Sequence, residues 1–225
     1  MENNIYAIKH YGFVDRIVIK KRLEIIEIIK NNIVNLKIEN VLDIGTTKDF
    51  NNKSSNLIVK GIKGFNKYKS ISDQKIDSEY FDKCLTKSIT DSFSINEIKD
   101  MKSDLVISSA SIEHVGNKSN QIKMIENIIK LTNKIFVITT PNRYYPIDFH
   151  TKLPLIHWFS KKFHRFCLKK IGLDFFSKEK NLNLISKNDI IEMLEIFKKD
   201  IVFKIHTVKL LGLVSNLIII GKIKI

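Results

Sequence analysis

Two stretches of the sequence contain the residue types that remove protons in enzyme active sites. Glu113 and His114 stand together in SSASIEHVGN, and His150 and His157 lie in FHTKLPLIHW. Because imidazole titrates near neutral pH, a histidine next to a bound hydroxyl group can act as a general base. We predict that His114 and His150 are the catalytic residues and keep His157 as a third candidate. For each of them, hydrogen bonding or packing within the fold remains the alternative.

A second group of polar residues follows the apolar runs of the sequence. Short apolar runs bounded by turn residues are typical of buried strands. Ligands of open α/β sheets bind beyond the carboxyl ends of the strands, so polar side chains at these positions are candidates for binding a cofactor. The residues at these positions are Asp43 and Gly45 with the following Thr46 and Thr47, then Asp73, Asp91, and Ser109, Ala110 and Ser111.

The hydrophobic pattern predicts the elements that would position these residues. Strands are predicted in NVLDIG, KYKSISDQ, DKCLTKSIT, SDLVISSA and NKIFVITTP, and a closing β-hairpin in FKIHTVKLL and NLIIIGKIK around GLVS. Helices are predicted over residues 15–36, in NQIKMIENIIKLT, after an N-cap at Ser54 or Ser55, and after a capping box that opens at Ser186. Strands that alternate with helices predict a parallel sheet with helices on both faces.

Length, charge and cysteine usage limit the function classes. The 225 residues predict a single domain over 1–225, with a helical lead-in over 1–38 and an insertion over 144–186. The net charge of +14 reflects a lysine-rich composition, so we do not expect a nucleic-acid partner. Cys84 and Cys167 lack metal-site spacing, which argues against a metal site and favours a reducing, cytoplasmic setting. We also expect no secretion signal and no membrane-spanning segment.

Three of these segments together resemble a known family. VLDIG, SDLVISSASIEHVGN and FVITTPNRYYPIDFHTKLPLIHW are similar to class I S-adenosylmethionine-dependent methyltransferases. More narrowly, they resemble the bacterial methyltransferase type 11 group, which is associated with cell-surface glycan biosynthesis. The resemblance implies a Rossmann-like, doubly wound sheet of seven strands, with one antiparallel strand in the last hairpin and a helical lid insertion after strand five. It also implies S-adenosylmethionine as the cofactor and O-methylation of a small-molecule or glycan-type acceptor, either soluble or lipid-linked.

The resemblance implies roles for the residues after the first strand. Asp43 and Gly45 would contact the amino-acid end of the cofactor. The family has a G-x-G-x-G pattern here, but Thr47 and Asp49 replace the second and third glycines. Thr46 and Thr47 would instead offer hydroxyl and backbone N–H groups to the methionine carboxylate. The alternative is a non-catalytic binding protein that keeps the fold and has lost the cofactor site.

The ends of later strands would hold the rest of the cofactor. Asp73 would accept hydrogen bonds from the ribose hydroxyls, with Asp77 as a rival because Asp73 lies further from the first strand than is usual. Asp91 would lie near the adenine. Ser109, Ala110 and Ser111 would line the floor beside the sulfonium. A solvated turn position remains the alternative for Asp73 and Asp91.

A nicotinamide-dependent dehydrogenase would share such a sheet. It would need a G-x-G-x-x-G turn, and Thr47 and Phe50 occupy two of the three glycine positions. The sequence therefore disfavours that class of enzyme.

The insertion after the fifth strand is basic and aromatic. Arg143 could hold an anionic acceptor or cap a loop. Residues 155–170 place Leu155, Phe159, Phe163 and Phe166 on one helical face. This pattern predicts a lid whose aromatic face packs over the pocket, and the alternative is an interfacial helix that makes peripheral contact with a membrane.

Overall fold

The computed structural model describes residues 13–50 and 55–224, so part of the predicted lead-in over 1–38 lies outside the described residues. Seven strands form one sheet in the order β3-β2-β1-β4-β5-β7-β6. The strands are β1 Asn40–Ile44, β2 Lys67–Ser72, β3 Lys83–Thr86, β4 Ser103–Ser109, β5 Thr132–Pro141, β6 Ile201–Leu210 and β7 Leu213–Ile223. The helices are α1 Phe13–Ile33, α2 Leu57–Gly61, α3 Ile95–Met101, α4 Lys118–Leu131, α5 Lys161–Lys170, α6 Asp174–Ser177 and α7 Lys187–Glu195.

The sheet has the predicted mixture of strand directions. β1 to β5 pair in parallel, and β7 runs antiparallel to both of its neighbours, β5 and β6. The chain leaves β1 outward to β2 and β3 and then returns to place β4 on the other side of β1. Strand order therefore reverses between β1 and β4, and a crevice forms beyond the carboxyl ends of these strands.

Alternating side chains of the central strands pack against layers on both faces of the sheet. On β5, Phe136 and Ile138 belong to one apolar cluster, whereas Ile135 and Val137 belong to the cluster on the opposite face. All four side chains are fully buried. A parallel sheet covered on both faces explains why β4 and β5 are apolar throughout instead of alternating with polar residues.

The closing hairpin is confirmed, but its turn is shorter than predicted. Only Leu211 and Gly212 separate the two strands, and both have positive φ angles of 52° and 80°. Two consecutive positive φ angles define the tight turn whose twist suits a hairpin. Further along β7, Gly221 pairs with Phe136, and a Cβ at Gly221 would come within 2.0 Å of the phenyl ring. Because Gly221 has no side chain, β7 can pair with β5 while the ring of Phe136 occupies the space beside Gly221.

Most predicted helices are confirmed, and one predicted start is wrong. α1 and α4 form where periodicity predicts them, and Ser186 begins α7 with the predicted capping box. α2 does not begin after Ser55, because its N-cap is Asn56 in the left-handed conformation. Ser54 lies outside the described residues. The helix α3, which opens with a capping box of Ser94 and Glu97, was not predicted.

The aromatic face of the insertion does not pack over the pocket, which corrects the lid prediction. Phe159, Phe163 and Phe166 are 60%, 48% and 58% exposed, and α5 instead buries His164 and Leu168. The side chains that the insertion directs into the crevice come from other positions, namely Phe149, His150, Lys152 and Phe176. In the described part of the chain, no helix combines the length and apolar character needed to cross a membrane.

Candidate functional site

A cleft of about 500 Å³ lies beyond the carboxyl ends of β1, β2, β3 and β4. Its walls come from the loops that follow these strands, from α1 and from the insertion. Clefts of this size enclose a cofactor or a small molecule. Most of the sequence-predicted site residues line it: Asp43, Gly45, Thr46, Thr47, Asp73, Ser109, Ala110, Ser111, His114 and His150.

Gly45 is the tightest point of the first loop. Its φ angle is +84°, and a Cβ added there would lie 2.2 Å from Oγ of Ser111. Any other residue would be strained by the backbone conformation and would also collide with the loop after β4. This glycine lets the loops after β1 and β4 approach each other at the bottom of the cleft.

Asp43 and Thr46 form a buried polar network behind Gly45. Thr46 donates its hydroxyl hydrogen to Oδ2 of Asp43 at 2.6 Å and accepts a hydrogen bond from Ser70 at 3.1 Å. Burial raises the pKa of Asp43 to about 6, and the hydrogen bond from Thr46 opposes this rise. The Thr46 hydroxyl was predicted to point to a cofactor, but here it holds the Asp43 carboxylate.

Thr47 is held by Asn56 at the start of α2. The Thr47 backbone N–H donates to Oδ1 of Asn56 at 3.0 Å, and the Asn56 amide donates to the Thr47 carbonyl oxygen at 2.9 Å. This pair of contacts fixes a loop that lacks the second and third glycines of the family pattern. The Thr47 N–H and hydroxyl both face Asn56 instead of the open cleft.

The two predicted acidic positions beyond β2 and β3 have different locations. Asp73 is exposed at the end of β2 and lines the cleft. Asp91 and the rival Asp77 lie outside the cleft and are exposed to solvent. The backbone carbonyl of Asp91 instead accepts a hydrogen bond from the buried Asn127 amide. After β3, the cleft is lined by the segment 87–90.

The floor of the cleft is formed by the segment that leaves β4. Ala110 has a left-handed φ angle of 51°, and its N–H donates to the Thr139 carbonyl oxygen at 2.8 Å. Ser111 donates to the carbonyl oxygen of Ser109 at 3.1 Å. A left-handed residue other than glycine is a strained backbone position, and such positions cluster at functional sites.

A single turn of 3-10 helix, Ile112–His114, follows the floor and orients His114. The ring Nδ1 of His114 lies 2.7 Å from the carbonyl oxygen of Asn181. A carbonyl oxygen can only accept, so Nδ1 carries the proton and the lone pair of the neutral ring is on Nε2. Burial lowers the pKa of His114, while the neighbouring Glu113 carboxylate opposes this shift.

His150 is presented by a tight loop that Asp148 organises. Oδ1 of Asp148 accepts hydrogen bonds from the His150 backbone N–H at 3.0 Å and from its Nδ1 at 3.2 Å. Oδ2 accepts a hydrogen bond from the Thr151 hydroxyl at 2.6 Å. Burial favours the neutral form of Asp148 and would raise its pKa, but these hydrogen bonds prevail and hold the pKa well below its usual range.

The two predicted catalytic histidines meet over Glu113. The ring centroids of His114 and His150 are 4.8 Å apart, and Nε2 of His150 is 3.7 Å from Oε1 of Glu113. Glu113 is fully buried, and its other oxygen, Oε2, accepts a hydrogen bond from the Thr140 hydroxyl at 2.9 Å. The structure thus brings residues from three segments into one cluster at the insertion side of the cleft.

Two other candidates lie away from the cleft. His157 is buried, and its Nε2 donates to the Tyr145 carbonyl oxygen at 2.7 Å. Arg143 donates to the carbonyl oxygens of His157 and Phe159 at 3.1 and 2.8 Å. Both residues therefore stabilise the insertion, in agreement with the structural alternatives considered for them.

Sequence reasoning missed Asp148 and Asn56, which position the site from outside its motifs. The D-x-H spacing of Asp148 and His150 was a usable signal, because aspartate side chains often bond the backbone two residues on. Asn56 offered no such signal, since its partner Thr47 lies on the far side of the loop.

Comparison with known proteins supports the fold. No protein-family profile matches the sequence, and no curated protein matches it. Among solved structures, magnesium protoporphyrin IX methyltransferase (ChlM) from Synechocystis PCC 6803 with bound SAH aligns with a TM-score of 0.55 and 13% identity, over 97% of this chain and 90% of that chain. N-methyltransferase NodS from Bradyrhizobium japonicum WM9 with SAH aligns with a TM-score of 0.51 and 9% identity, over 90% and 86%.

A third similar structure is the plantazolicin methyltransferase BamL in complex with a triazolic desmethylPZN analog and SAH. It aligns with a TM-score of 0.58 and 8% identity, over 91% of this chain and 85% of that chain. At these identities the likeness concerns the fold. The chain has the seven-stranded, Rossmann-like fold of S-adenosylmethionine-dependent methyltransferases, as predicted.

Proposed function

We propose that the protein transfers a methyl group from S-adenosylmethionine to a small-molecule or glycan-type acceptor, by O-methylation. The observation that carries this proposal is the cleft at the reversal of strand order, where Asp43, Gly45 and the floor residues 109–111 converge. The similar structures named above that were solved with SAH have this same fold. Fold alone does not assign an activity, so the proposal rests on the chemistry of the cleft.

The charges and shapes of the lining suit the parts of the cofactor. The methionine end carries a cationic ammonium group, and the buried carboxylate of Asp43 supplies the complementary charge at the end of β1. Asp73 is accessible at the end of β2 for the ribose hydroxyls, as an acidic residue is in dinucleotide sites. After β3, Ile89 offers an apolar side chain for contact with the adenine, and we assign this role to it in place of Asp91.

A cofactor held in this way would direct its methyl group toward His114 and His150, which line the same cleft. Methyl transfer is an in-line displacement, so the protein must mainly align the two reactants and exclude water. The acceptor oxygen attacks the methyl carbon, the C–S bond breaks with its electron pair on sulfur, and S-adenosylhomocysteine leaves. The hydroxyl proton passes to Nε2 of His150, whose ring is oriented by Asp148 in the manner of a base held by a third group. His114 lines the cleft beside His150, with the two ring centroids 4.8 Å apart.

The rival function is a binding protein that has lost the cofactor. The replacement of two loop glycines favours it, because Thr47 directs its N–H to Asn56. Three retained features favour the enzyme: Gly45 with its positive φ angle, the buried Asp43, and the convergence of His114 with His150. Residues without a binding role need not combine in one cleft.

The exposed face of α5 supports an acceptor at a membrane surface, such as a lipid-linked glycan. Phe159, Phe163 and Phe166 stand in solvent together with Trp158, and exposed Lys169 and Lys170 follow in the last turn. Aromatic residues beside lysines suit the interface of an anionic bilayer. Both cysteines are free thiols, which agrees with a reducing cytoplasmic setting.

Methyl transfer can be tested directly with labelled S-adenosylmethionine and a panel of acceptors. The panel should contain free sugars, nucleotide sugars and lipid-linked saccharides, and the readout is release of S-adenosylhomocysteine with label in the acceptor. We expect transfer to at least one sugar hydroxyl, reduced about 100-fold or more in His150→Gln. Cofactor that neither binds nor reacts with a folded protein would support the rival function.

A further inference from the structure

We propose that Glu113, His114 and His150 form a binding site for a first-row divalent transition-metal ion at the acceptor end of the cleft. One ligand atom from each residue lies within 4.8 Å of the other two. The site itself follows from these side chains, and only its part in catalysis rests on the proposed methyl transfer. Cysteine and histidine spacing in the sequence gave no indication of it, because the ligands come from two distant segments.

The carboxylate of Glu113 needs a partner that the fold does not supply. The residue is fully buried, and Thr140 satisfies only its Oε2. Among the described residues, Oε1 has no hydrogen-bond donor, and Nε2 of His150 lies 3.7 Å from it. A buried charged oxygen without a hydrogen bond is costly, and a cation between Glu113 and His150 would remove that cost.

Both imidazoles are oriented as metal-binding histidines are. His114 donates Nδ1–H to the Asn181 carbonyl oxygen, and His150 donates Nδ1–H to the Asp148 carboxylate. Metal-ligating histidines almost always make such an outer bond, which fixes the ring orientation and the tautomer so that Nε2 is the nitrogen that can bind an ion. The His150 pair has the carboxylate–histidine arrangement that also raises the basicity of the ligand.

The donor set selects the kind of ion. Two imidazole nitrogens and one carboxylate oxygen suit Mn²⁺, Co²⁺, Zn²⁺ and related ions, whereas Mg²⁺ and Ca²⁺ prefer oxygen ligands. Metal bonds of ~2.0–2.2 Å require ligand atoms roughly 3.3 Å apart. Nε2 of His150 and Oε1 of Glu113 are 3.7 Å apart, so these two atoms would move slightly closer when an ion binds. Both histidines line the cleft, so the remaining coordination positions face the space where the acceptor would bind.

An ion at this position would bind the acceptor hydroxyl and lower its pKa. The hydroxyl proton would then pass to solvent water before the alkoxide attacks the methyl carbon, and the C–S electron pair would stay on sulfur as before. In this state Nε2 of His150 would be a ligand, so the ion would activate the hydroxyl as a Lewis acid and solvent water would accept the proton.

The test is a titration of untagged, chelator-treated protein with Co²⁺, followed by visible absorption, and then with Zn²⁺ in competition. Wild type should bind one Co²⁺ per chain with ligand-field bands that Zn²⁺ removes, and Mg²⁺ should not compete. Glu113→Gln and His150→Gln should each weaken binding at least 10-fold. His206→Gln, which changes a histidine on β6 outside the cluster, should bind as wild type does. Asp148→Asn should weaken binding ~10-fold or more through the His150 ring.

The absence of a Co²⁺ spectrum in wild type would overturn the site, as would equal affinities of Glu113→Gln, His150→Gln and wild type. Circular dichroism melting of each variant separates loss of the ligand from loss of the fold. Binding of S-adenosylhomocysteine, measured on the same samples, separates this inference from the proposed function. Metal binding without cofactor binding would leave the metal site standing and contradict the methyltransferase. Cofactor binding without metal binding would contradict the metal site and leave the proposed methyltransferase standing.

Discussion

The carboxylate of Asp148 fixes the ring of His150, because Oδ1 lies 3.2 Å from Nδ1 and 3.0 Å from the backbone nitrogen of the same histidine. Oδ2 binds the Thr151 hydroxyl, so the carboxylate closes the loop as well as orienting the ring. The result is a histidine on an irregular segment that is nevertheless held in one orientation, with Nε2 directed toward Glu113. Positioning of this kind is what a catalytic or metal-binding histidine requires.

Loss of the Asp148 carboxylate should destabilise the protein. Asp148→Ala removes bonds to three groups of the loop, and hydrogen bonds to a buried charge contribute more than neutral ones, so we expect a loss of about 2–4 kcal/mol in the free energy of unfolding. Asp148→Asn, which keeps the shape, should cost less. Urea denaturation measures both, and Asp91→Ala, an exposed aspartate outside the cleft, should change the value by less than about 0.5 kcal/mol. Equal effects of Asp148→Ala and Asp91→Ala would contradict the assigned role.

Gly45 should be irreplaceable for two separable reasons. In Gly45→Ala, the Cβ would meet Oγ of Ser111 at 2.2 Å, and the backbone would keep a φ angle of +84°. We expect a loss of about 2–4 kcal/mol in unfolding free energy. The control is Gly64→Ala, since Gly64 has a φ angle of +95° with open space around it, and it should lose only ~1 kcal/mol. The larger loss in Gly45→Ala than in Gly64→Ala should come from the collision with Ser111. Adding Ser111→Gly to Gly45→Ala should therefore reduce the loss to that of Gly64→Ala, and no recovery would show that the collision is not the cause.

The raised pKa of Asp43 predicts a specific pH dependence of stability. Its pKa is about 6 in the folded chain and 3.8 for an ordinary aspartate, so between these pH values the folded state holds a proton that the unfolded state has released. Stability from this group is therefore complete below about pH 4 and is lost as pH rises through 6, by roughly 3 kcal/mol. The difference in unfolding free energy between Asp43→Asn and wild type should grow by this amount from pH 4 to pH 7. A constant difference would mean that Asp43 is not desolvated.

The exposed aromatic face of α5 should bind anionic membranes. Vesicles that contain phosphatidylglycerol should sediment the protein at low salt, whereas phosphatidylcholine vesicles should not. Phe163→Ser with Phe166→Ser should weaken binding ~10-fold or more, through lost apolar burial. Val202→Ser, at an exposed apolar position on β6, serves as the control and should have no effect. No sedimentation with phosphatidylglycerol vesicles, or equal sedimentation of the Phe163/Phe166 variant and wild type, would argue against a membrane role for this face.

The sequence predicted the elements whose pattern reflects burial in the sheet. β4 and β5 were recognised as apolar runs because both faces are covered, and the last hairpin because two strand-like runs flank a glycine. The start of α2 was missed because Asn56 caps it from a left-handed conformation, for which serine side chains were the wrong signal. The hydrophobic pattern therefore predicted which segments form strands, but it did not predict where α2 begins.

The residues that line the cleft were largely predictable, but their contacts were not. His114 and His150 were both predicted as candidates and both line the cleft, but their ring contact of 4.8 Å depends on how the insertion folds back onto β4. Similarly, the Thr46 hydroxyl was expected to face a cofactor, and the structure turns it to Asp43 because the buried carboxylate needs a donor. For α5, periodicity predicted an aromatic face correctly but did not reveal that nothing in the described chain covers it.

The most direct test of the account is calorimetric titration of the purified protein with S-adenosylhomocysteine. We predict binding of one ligand per chain with a micromolar dissociation constant. Asp73→Asn should weaken it about 5- to 10-fold, which corresponds to a lost hydrogen bond of ~1 kcal/mol to the ribose. Asp91→Asn, outside the cleft, should leave it unchanged. If wild type is folded and binds neither S-adenosylhomocysteine nor S-adenosylmethionine, the threonine-containing loop has lost the cofactor and the methyltransferase account is wrong.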